Sequence, residues 1–132
     1  MRKKLITITV CSIFAAILSC SHDGKADFAA AHAAKEYYDL LLEDQFDHFV
    51  EGIDYPSPIP DSYREQLVAN AKMFVAEQQR LHSGLREVRV VNCVNDSLQT
   101  SANAFLMLCF ADNTIEQVVV PMVKRDGRWY MK

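Results

Sequence analysis

The spacing of apolar residues changes once along the chain, near Gly84, and this change is the strongest constraint on the fold. Before Gly84, apolar side chains recur every three or four residues, which predicts amphipathic helices. After Gly84, apolar and polar residues alternate, as expected for half-buried strands. Helices followed by a run of strands indicate an α+β domain, in which N-terminal helices pack on one face of a curved antiparallel sheet of about four strands.

Three helices are predicted in the first half of the chain. The first begins at Asp27, which is a good N-cap residue, and a short second helix covers residues 44–50. A long helix follows a proline-rich segment; Asp61 or Ser62 is expected to cap it, Ser62 and Glu65 match a capping box, and Gly84 is expected to stop it. The inner face of the first helix is expected to contain Ala31, Ala34, Tyr38, Leu41 and Leu42. The inner face of the long helix is expected to contain Leu67, Asn70, Ala71, Phe74, Val75, Gln78 and Leu81.

Four strands are predicted in the second half, joined as an antiparallel meander. Alternation in the first strand places one set of side chains on a common face, namely Val88, Val90, Asn92 and Val94. The second and third strands cover residues 102–110 and 115–124. Asp126 and Gly127 then predict a tight hairpin turn, because both tolerate the positive φ angles that such a turn requires. The last strand contains Trp129.

The N-terminus has the composition of an export signal. Residues 2–4 are all basic, and residues 5–18 form an apolar segment that is too short to span about 30 Å of hydrocarbon as a stable helix. The motif at residues 17–20, Ile-Leu-Ser-Cys, resembles the lipobox of bacterial lipoproteins. In a lipobox, an aliphatic residue and small residues precede the cysteine that receives the lipid. The resemblance implies that Cys20 becomes the lipidated N-terminus.

This resemblance divides the chain into a signal peptide (1–19), a lipidated tether (20–26) and a folded domain (27–132). Each buried lipid methylene contributes about 0.8 kcal/mol, so several acyl chains on Cys20 would anchor the domain to a membrane of the cell envelope. Ser21 stands where an Asp retains enterobacterial lipoproteins in the inner membrane, so the outer membrane is expected. An ordinary signal peptide and a weak membrane anchor with an incidental cysteine are the alternatives.

The charge of the chain argues against nucleic acid as a partner. The formal net charge is −3, and removal of residues 1–19, which contain three basic and no acidic residues, leaves −6. Nucleic-acid binding needs an excess of lysine and arginine to attract phosphate, and no basic cluster follows Lys4. The acidic balance is expected to keep the domain soluble.

Two cysteines, Cys93 and Cys109, belong to the predicted domain. If a turn near residues 95–97 joins their strands, Cys109 lies roughly 30 Å from the position opposite Cys93, at about 3.3 Å per residue. A disulfide needs Cα atoms within about 7 Å of each other. We therefore expect two buried thiols and no disulfide.

Three segments resemble proteins of the nuclear-transport-factor-like fold, also called the ketosteroid-isomerase-like or cystatin-like fold. They are residues 33–38, residues 43–47 and residues 123–130, the last of which combines a strand, an Asp-Gly turn and a tryptophan on the final strand. The resemblance covers residues 27–132 and implies a cone-shaped domain with a pocket between helices and sheet. Some relatives are enzymes, some bind small molecules and some bind only proteins, so no activity is implied.

Five side chains are candidates for lining the pocket of such a cone: Tyr37, Tyr38, Asn92, Gln117 and Trp129. The tyrosine hydroxyls could point inward. Both amides lie on predicted apolar strand faces, where each needs a hydrogen bond from the protein, water or a ligand. A small apolar ligand would suit an open pocket, and packing within the core is the alternative for every one of these residues.

The sequence predicts no catalytic residue, no cofactor and no metal. A general acid or base needs a pKa shifted by burial, and the acidic residues lie mainly on predicted helix surfaces and turns. Asp44, Asp47, His48 and Glu51 have a helical spacing that could gather metal ligands. A solvated helix face is the expected interpretation of these four residues.

The segment Ala104–Phe110 is apolar on both faces of its strand. One face can pack on the helices, whereas the other needs cover. Val118, Val120 and Met122 on the next strand are expected to widen the uncovered patch. A sheet-to-sheet homodimer or an envelope protein would cover this patch, and the alternative is cover by the proline-rich loop and the chain ends.

The predicted function is that of a membrane-tethered, non-enzymatic domain that binds a ligand or a protein. A small enzyme that uses the cone, of isomerase or hydrolase type, is the alternative, and a purely structural envelope component is a third. A buried carboxylate facing a tyrosine inside the pocket would favour the enzyme. A cone filled by side chains, beside an exposed apolar sheet, would favour the binding module.

Overall fold

A computed structural model describes residues 27–132; the predicted signal peptide, Cys20 and the tether lie outside the described residues. Three helices precede four strands, as predicted. The helices are α1 (Ala29–Leu42), α2 (Phe46–Glu51) and α3 (Asp61–His82), and the strands are β1 (Leu85–Asn95), β2 (Ser101–Phe110), β3 (Ile115–Arg125) and β4 (Arg128–Met131). The strands pair antiparallel in the order β1-β2-β3-β4. The predicted α+β class and the meander are therefore confirmed.

Helix α1 supplies most of the helical side of the core. Asp27 Oδ1 accepts a hydrogen bond of 2.9 Å from Ala29 N, the first residue of the helix, but the N-cap position is Phe28, one residue later than predicted. Small side chains let the helix approach the sheet closely, and the buried residues of α1 are Ala30, Ala31, Ala34, Tyr37 and Leu41. Tyr37 therefore lies on the buried face, whereas the predicted Tyr38 is only half-buried.

Helix α2 ends at Gly52 as predicted, and the packing of Tyr37 explains why this residue is glycine. A Cβ atom on Gly52 would overlap the Tyr37 ring. Met131 N donates a hydrogen bond of 2.7 Å to Gly52 O, and Asp54 N donates one of 2.7 Å to Met131 O. The segment 52–54 therefore pairs with β4 and covers that edge of the sheet.

Helix α3 is the longest helix and the least buried. Only Ala71 among its 22 residues is buried. The predicted inner stripe is therefore wrong in its extent, because Leu81 is 51% exposed and Asn70 is also exposed. The half-buried members of the predicted stripe are Leu67, Phe74, Val75 and Gln78.

The C-terminal end of α3 is attached to the β2–β3 turn by one histidine. The helix ends at Ser83, which adopts the left-handed conformation with φ 65°. The His82 ring stacks on Phe110 with 4.5 Å between ring centroids. His82 Nδ1 lies 3.1 Å from Asp112 Oδ2 and 3.1 Å from Thr114 Oγ1. Stacking and polar contacts together hold this end of the helix against the sheet.

Strand β1 contains a bulge between Val90 and Asn92, which the sequence did not predict. A one-residue shift moves the following side chains to the opposite face of the strand. Val88 and Val90 face the helices before the bulge, and Cys93 faces them after it, so Cys93 is buried and Asn92 is exposed. The prediction that Asn92 and Val94 share a face with Val88 is therefore wrong.

The central strands β2 and β3 define an inner face, turned towards α1, and an outer face, turned away from it. The inner residues of β2 are Ala102, Ala104, Leu106, Leu108 and Phe110. Val118, Val120 and Met122 pair with inner residues of β2 and lie on the same side. The expectation that these three residues widen the outer patch is therefore wrong, because alternation alone does not say which apolar face is covered.

The described residues form one hydrophobic core between α1 and the inner face. Cys93 and Cys109 are both free and buried, as predicted. Asp126 and Gly127 have φ angles of 50° and 77°, which confirms the predicted hairpin turn. Among residues 27–132, no helix is both long and apolar enough to cross a membrane.

Candidate functional site

Side chains fill the space between α1 and the inner face, where the resemblance implied a pocket. Tyr37 Oη donates a buried hydrogen bond of 2.7 Å to Trp129 O. The Trp129 side chain is itself buried in the same core. Two of the five candidate pocket residues therefore lie together, but they connect α1 to β4 within a packed core.

Two other candidates, Asn92 and Gln117, lie on the outer face and are exposed. Asn92 pairs with Phe105 across the β1–β2 ladder, and its Oδ1 accepts a hydrogen bond of 2.8 Å from Cys93 N. Gln117 pairs with Met107 across the β2–β3 ladder. The bulge explains the error for Asn92. For Gln117, the predicted alternation with Ile115 and Val119 is correct, but these three residues lie on the outer face and not on the inner one.

The outer face presents apolar side chains in contiguous rows across the sheet. Exposure is 50% for Val119 and 62% for Ile115. The outer residues of β2 and β3 are Ser101, Asn103, Phe105, Met107, Cys109, Ile115, Gln117, Val119, Pro121, Val123 and Arg125. The charged member of this set is Arg125, which lies at the end of β3 and forms an ion pair with Asp54. The apolar β2 segment was predicted from the sequence, but Val119 and Ile115 were not, because the alternation in β3 placed their face in the interior.

One pair of opposite charges lies at the β1 margin of this surface. Arg89 and Glu87 lie on the edge strand β1, and Arg89 Nε is 3.0 Å from Glu87 Oε1. The hydrogen bond from Arg89 holds the pKa of Glu87 below its usual value. Both groups are therefore charged at neutral pH, and the pair adds no net charge to the margin of the outer face.

A cleft of about 300 Å³ lies between the three helices. Its lining is largely apolar and consists of Tyr38, Leu41, Phe49, Ile53, Leu67, Asn70, Ala71 and Phe74. The Tyr38 and Phe49 rings meet edge to face, 5.8 Å apart. Burial raises the pKa of the Tyr38 phenol, so this group is neutral at physiological pH. Tyr38 is thus the one candidate pocket residue that lines a cavity.

The acidic cluster near α2 makes ordinary surface ion pairs. Glu51 Oε2 lies 3.3 Å from His48 Nδ1, and Glu51 Oε1 lies 3.0 Å from Arg64 Nη2 on α3. Within residues 27–132, no group of three or more His, Cys, Asp or Glu side chains could hold a metal ion. These contacts tie α2 to the N-terminal part of α3.

A proposed NTF2-like transpeptidase from Campylobacter jejuni has a similar structure, with a TM-score of 0.61. The two sequences are 16% identical, and the match covers 74% of this chain and 92% of the other. The fold is NTF2-like. A SEC-C motif containing protein from Rhodopseudomonas palustris is also similar, with a TM-score of 0.52, 16% identity and coverage of 84% and 80%. No protein-family model and no curated protein matches the sequence.

Proposed function

We propose that this NTF2-like protein is a lipid-anchored binding module of the cell envelope that associates through its outer face. The observation behind the proposal is that side chains fill the space between the helices and the sheet. Tyr37 and Trp129 occupy the space between helices and sheet, and the apolar surface that remains open on the sheet is the outer face. A large exposed apolar surface of this kind is typical of a site of protein association.

The helix cleft favours binding over catalysis. General acid or base chemistry needs an ionisable group that is held near the substrate with a suitable pKa. The described residues that line the cleft are apolar, apart from one phenol and one amide. The phenol of Tyr38 has a raised pKa and is neutral, so it is a weak base and a weak acid at physiological pH.

A second copy of the chain is the proposed occupant of the outer face. Ten residues of β2 extend about 33 Å, and four strands extend about 19 Å, which gives a footprint on the order of 600 Å². Stable interfaces bury about 800 Å² per partner, so the sheet supplies most of the required area. Asn92 and Gln117 can each donate and accept hydrogen bonds, and a twofold pair of identical faces can therefore satisfy both amides.

Sedimentation equilibrium of the protein extracted from membranes tests this self-association. We expect a dimer for the wild type and a monomer for Val119→Lys, because the new ammonium groups would be buried against an apolar surface. Met73→Lys, at a 67% exposed position on α3, is the matched control and should remain dimeric. A monomeric wild type, or a dimeric Val119→Lys variant, would contradict the proposal. Release by Val119→Lys of a different, bound envelope protein would also refute self-association.

The lipid anchor rests on the sequence motif that ends at Cys20. Eight residues lie between Cys20 and Ala29, the start of α1, and this segment spans at most about 32 Å when fully extended, so the domain would stay close to the membrane. Mass spectrometry of the protein from native membranes should give a mature N-terminus at Cys20 with added lipid mass. Cys20→Ala should lose that mass. An unlipidated chain cut elsewhere would overturn the anchor.

A further inference from the structure

Polar contacts attach helix α3 near both ends, whereas its partly buried apolar residues lie in the middle. Arg64 binds Glu51 near the N-terminal end, and His82 binds Asp112 at the C-terminal end. Between them, only Ala71 is buried. The apolar residues Leu67 and Phe74 lie beside Ala71, remain half-buried and border the cleft between the three helices. The helix thus presents an apolar face that no described side chain fully covers.

We infer that this helix cleft binds a compact, uncharged apolar molecule that contains a ring and one hydrogen-bond acceptor. The volume of about 300 Å³ falls at the lower end of the range for small-molecule sites. Tyr38, Phe49 and Phe74 bring one aromatic ring from each helix, and such rings favour a planar ligand through stacked or edge contacts. No charged residue lines the cleft, so an ionised ligand would lose its hydration without a partner.

Asn70 supplies the polar contact in this site. Its Oδ1 accepts a hydrogen bond of 3.0 Å from Gln66 Nε2, one helical turn earlier. That contact uses the amide oxygen, so the Nδ2 hydrogens of this exposed side chain remain available as donors at the rim of the cleft. A carbonyl or hydroxyl oxygen on the ligand is the group that matches such a donor. The ligand is thus defined by an apolar ring and one neutral oxygen.

The cleft is separate from the surface proposed for self-association. Its lining comes from the helices and from Ile53, whereas the outer face lies across the sheet from α1. Loss of the dimer in Val119→Lys should therefore leave ligand binding unchanged. The two proposals can fail independently.

Titration with three related probes tests the site. The full chain carrying Cys20→Ala is titrated with 1-naphthol, naphthalene and 1-naphthoate by calorimetry, and NMR shifts locate the bound probe. We expect 1:1 binding of 1-naphthol at the cleft residues, and binding of 1-naphthoate that is weaker by at least about tenfold, because its carboxylate would be desolvated. Absence of saturable 1-naphthol binding, equal binding of 1-naphthoate, or shifts confined to the outer face would overturn the inference.

Three α3 variants separate the parts of the site. Leu67→Trp fills the cleft and should weaken 1-naphthol binding by at least about tenfold, whereas Met73→Trp, on the exposed side, should change it by less than about twofold. Asn70→Ala should weaken 1-naphthol about two- to tenfold and leave naphthalene unchanged. Thermal unfolding of each variant is measured first. If Leu67→Trp does not fold, the test rests on how Asn70→Ala changes the affinities for 1-naphthol and naphthalene. An equal loss of affinity for both probes would refute the role of the Asn70 amide.

Discussion

Helix α3 is longer than helix α1, but fewer of its residues are buried. Helix α1 has 14 residues, five of them buried, and α3 has 22 residues with one buried. The sheet contact of α1 consists largely of alanines, which let the two backbones approach closely. Helix α3 is rich in long polar side chains, and its packing on the domain is limited to Ala71 and a few half-buried residues around it, with polar contacts at both ends. The length of an amphipathic pattern therefore does not measure how much of a helix is buried.

A pair of leucine truncations gives the largest expected contrast between the helices. Leu41 is fully buried in α1, and Leu81 is 51% exposed in α3. Leu41→Ala should lower the free energy of unfolding by about 2–5 kcal/mol, because it leaves a cavity. Leu81→Ala should change it by less than about 0.5 kcal/mol. Denaturant unfolding measures both values, and similar losses for the two variants would remove the contrast.

Gly52→Ala tests the close packing around α1 with the next largest effect. The added Cβ would overlap the Tyr37 ring, and overpacking of this kind costs about 1–3 kcal/mol of unfolding free energy. The φ angle of −79° at Gly52 suits alanine, so the cost comes from the overlap alone. A double-mutant cycle with Tyr37→Ala isolates it. An additive cycle would show that Tyr37 is not the reason for the glycine.

Removal of a tyrosine hydroxyl compares the stability contribution of Tyr37 on α1 with that of Tyr63 on α3. Tyr37→Phe should cost about 1–2 kcal/mol, because it leaves the buried carbonyl of Trp129 without its donor. Tyr63→Phe, on the exposed surface of α3, should have no measurable effect on the unfolding free energy. Unfolding of both variants in urea provides the comparison. A neutral Tyr37→Phe would mean that the hydrogen bond adds nothing to packing.

The smallest predicted effect is a pH-dependent change in stability at the contact between the C-terminal end of α3 and the β2–β3 turn. Hydrogen bonds from the side chain and backbone of Thr114, with a contribution from His82, hold the pKa of Asp112 below its usual value of 3.8. Because the folded pKa is lower, the contribution to stability is complete above pH 3.8 and is lost as pH falls through the folded pKa. NMR titration should show an Asp112 midpoint below 3.8 that rises in Thr114→Val. An unchanged midpoint in that variant would contradict the assignment.

Those parts of the fold that depend on local chemistry could be predicted from the sequence. The helix ends lie within a residue or two of Asp27, Asp61 and Gly52, because initiation and termination depend on a few neighbouring residues, although the N-cap positions are Phe28 and Pro60 and not the predicted residues. The Asp126–Gly127 turn follows from the positive φ angles that these residues tolerate. The order of helices and strands follows from the change in apolar spacing.

The features that depend on tertiary contacts could not be predicted in the same way. The β1 bulge carries no glycine or proline signal, yet it reverses the faces of Asn92 and Cys93. The strands β2 and β3 are apolar on both sides, so alternation could not say whether Val118 or Val119 meets the helices. The adjacent residues Tyr37 and Tyr38 could exchange roles until the tilt of α1 on the sheet was known.

Solvent exposure of methyl groups tests most directly whether the outer face is a contact surface. In a single chain, Val119, Ile115 and Met73 are all at least half exposed, the first two on the outer face and the third on α3. A soluble paramagnetic agent broadens the NMR signals of exposed methyl groups. We predict that, at high protein concentration, Val119 and Ile115 are broadened far less than Met73, and that dilution removes the difference. Equal broadening of all three methyl groups at every concentration would contradict the proposal.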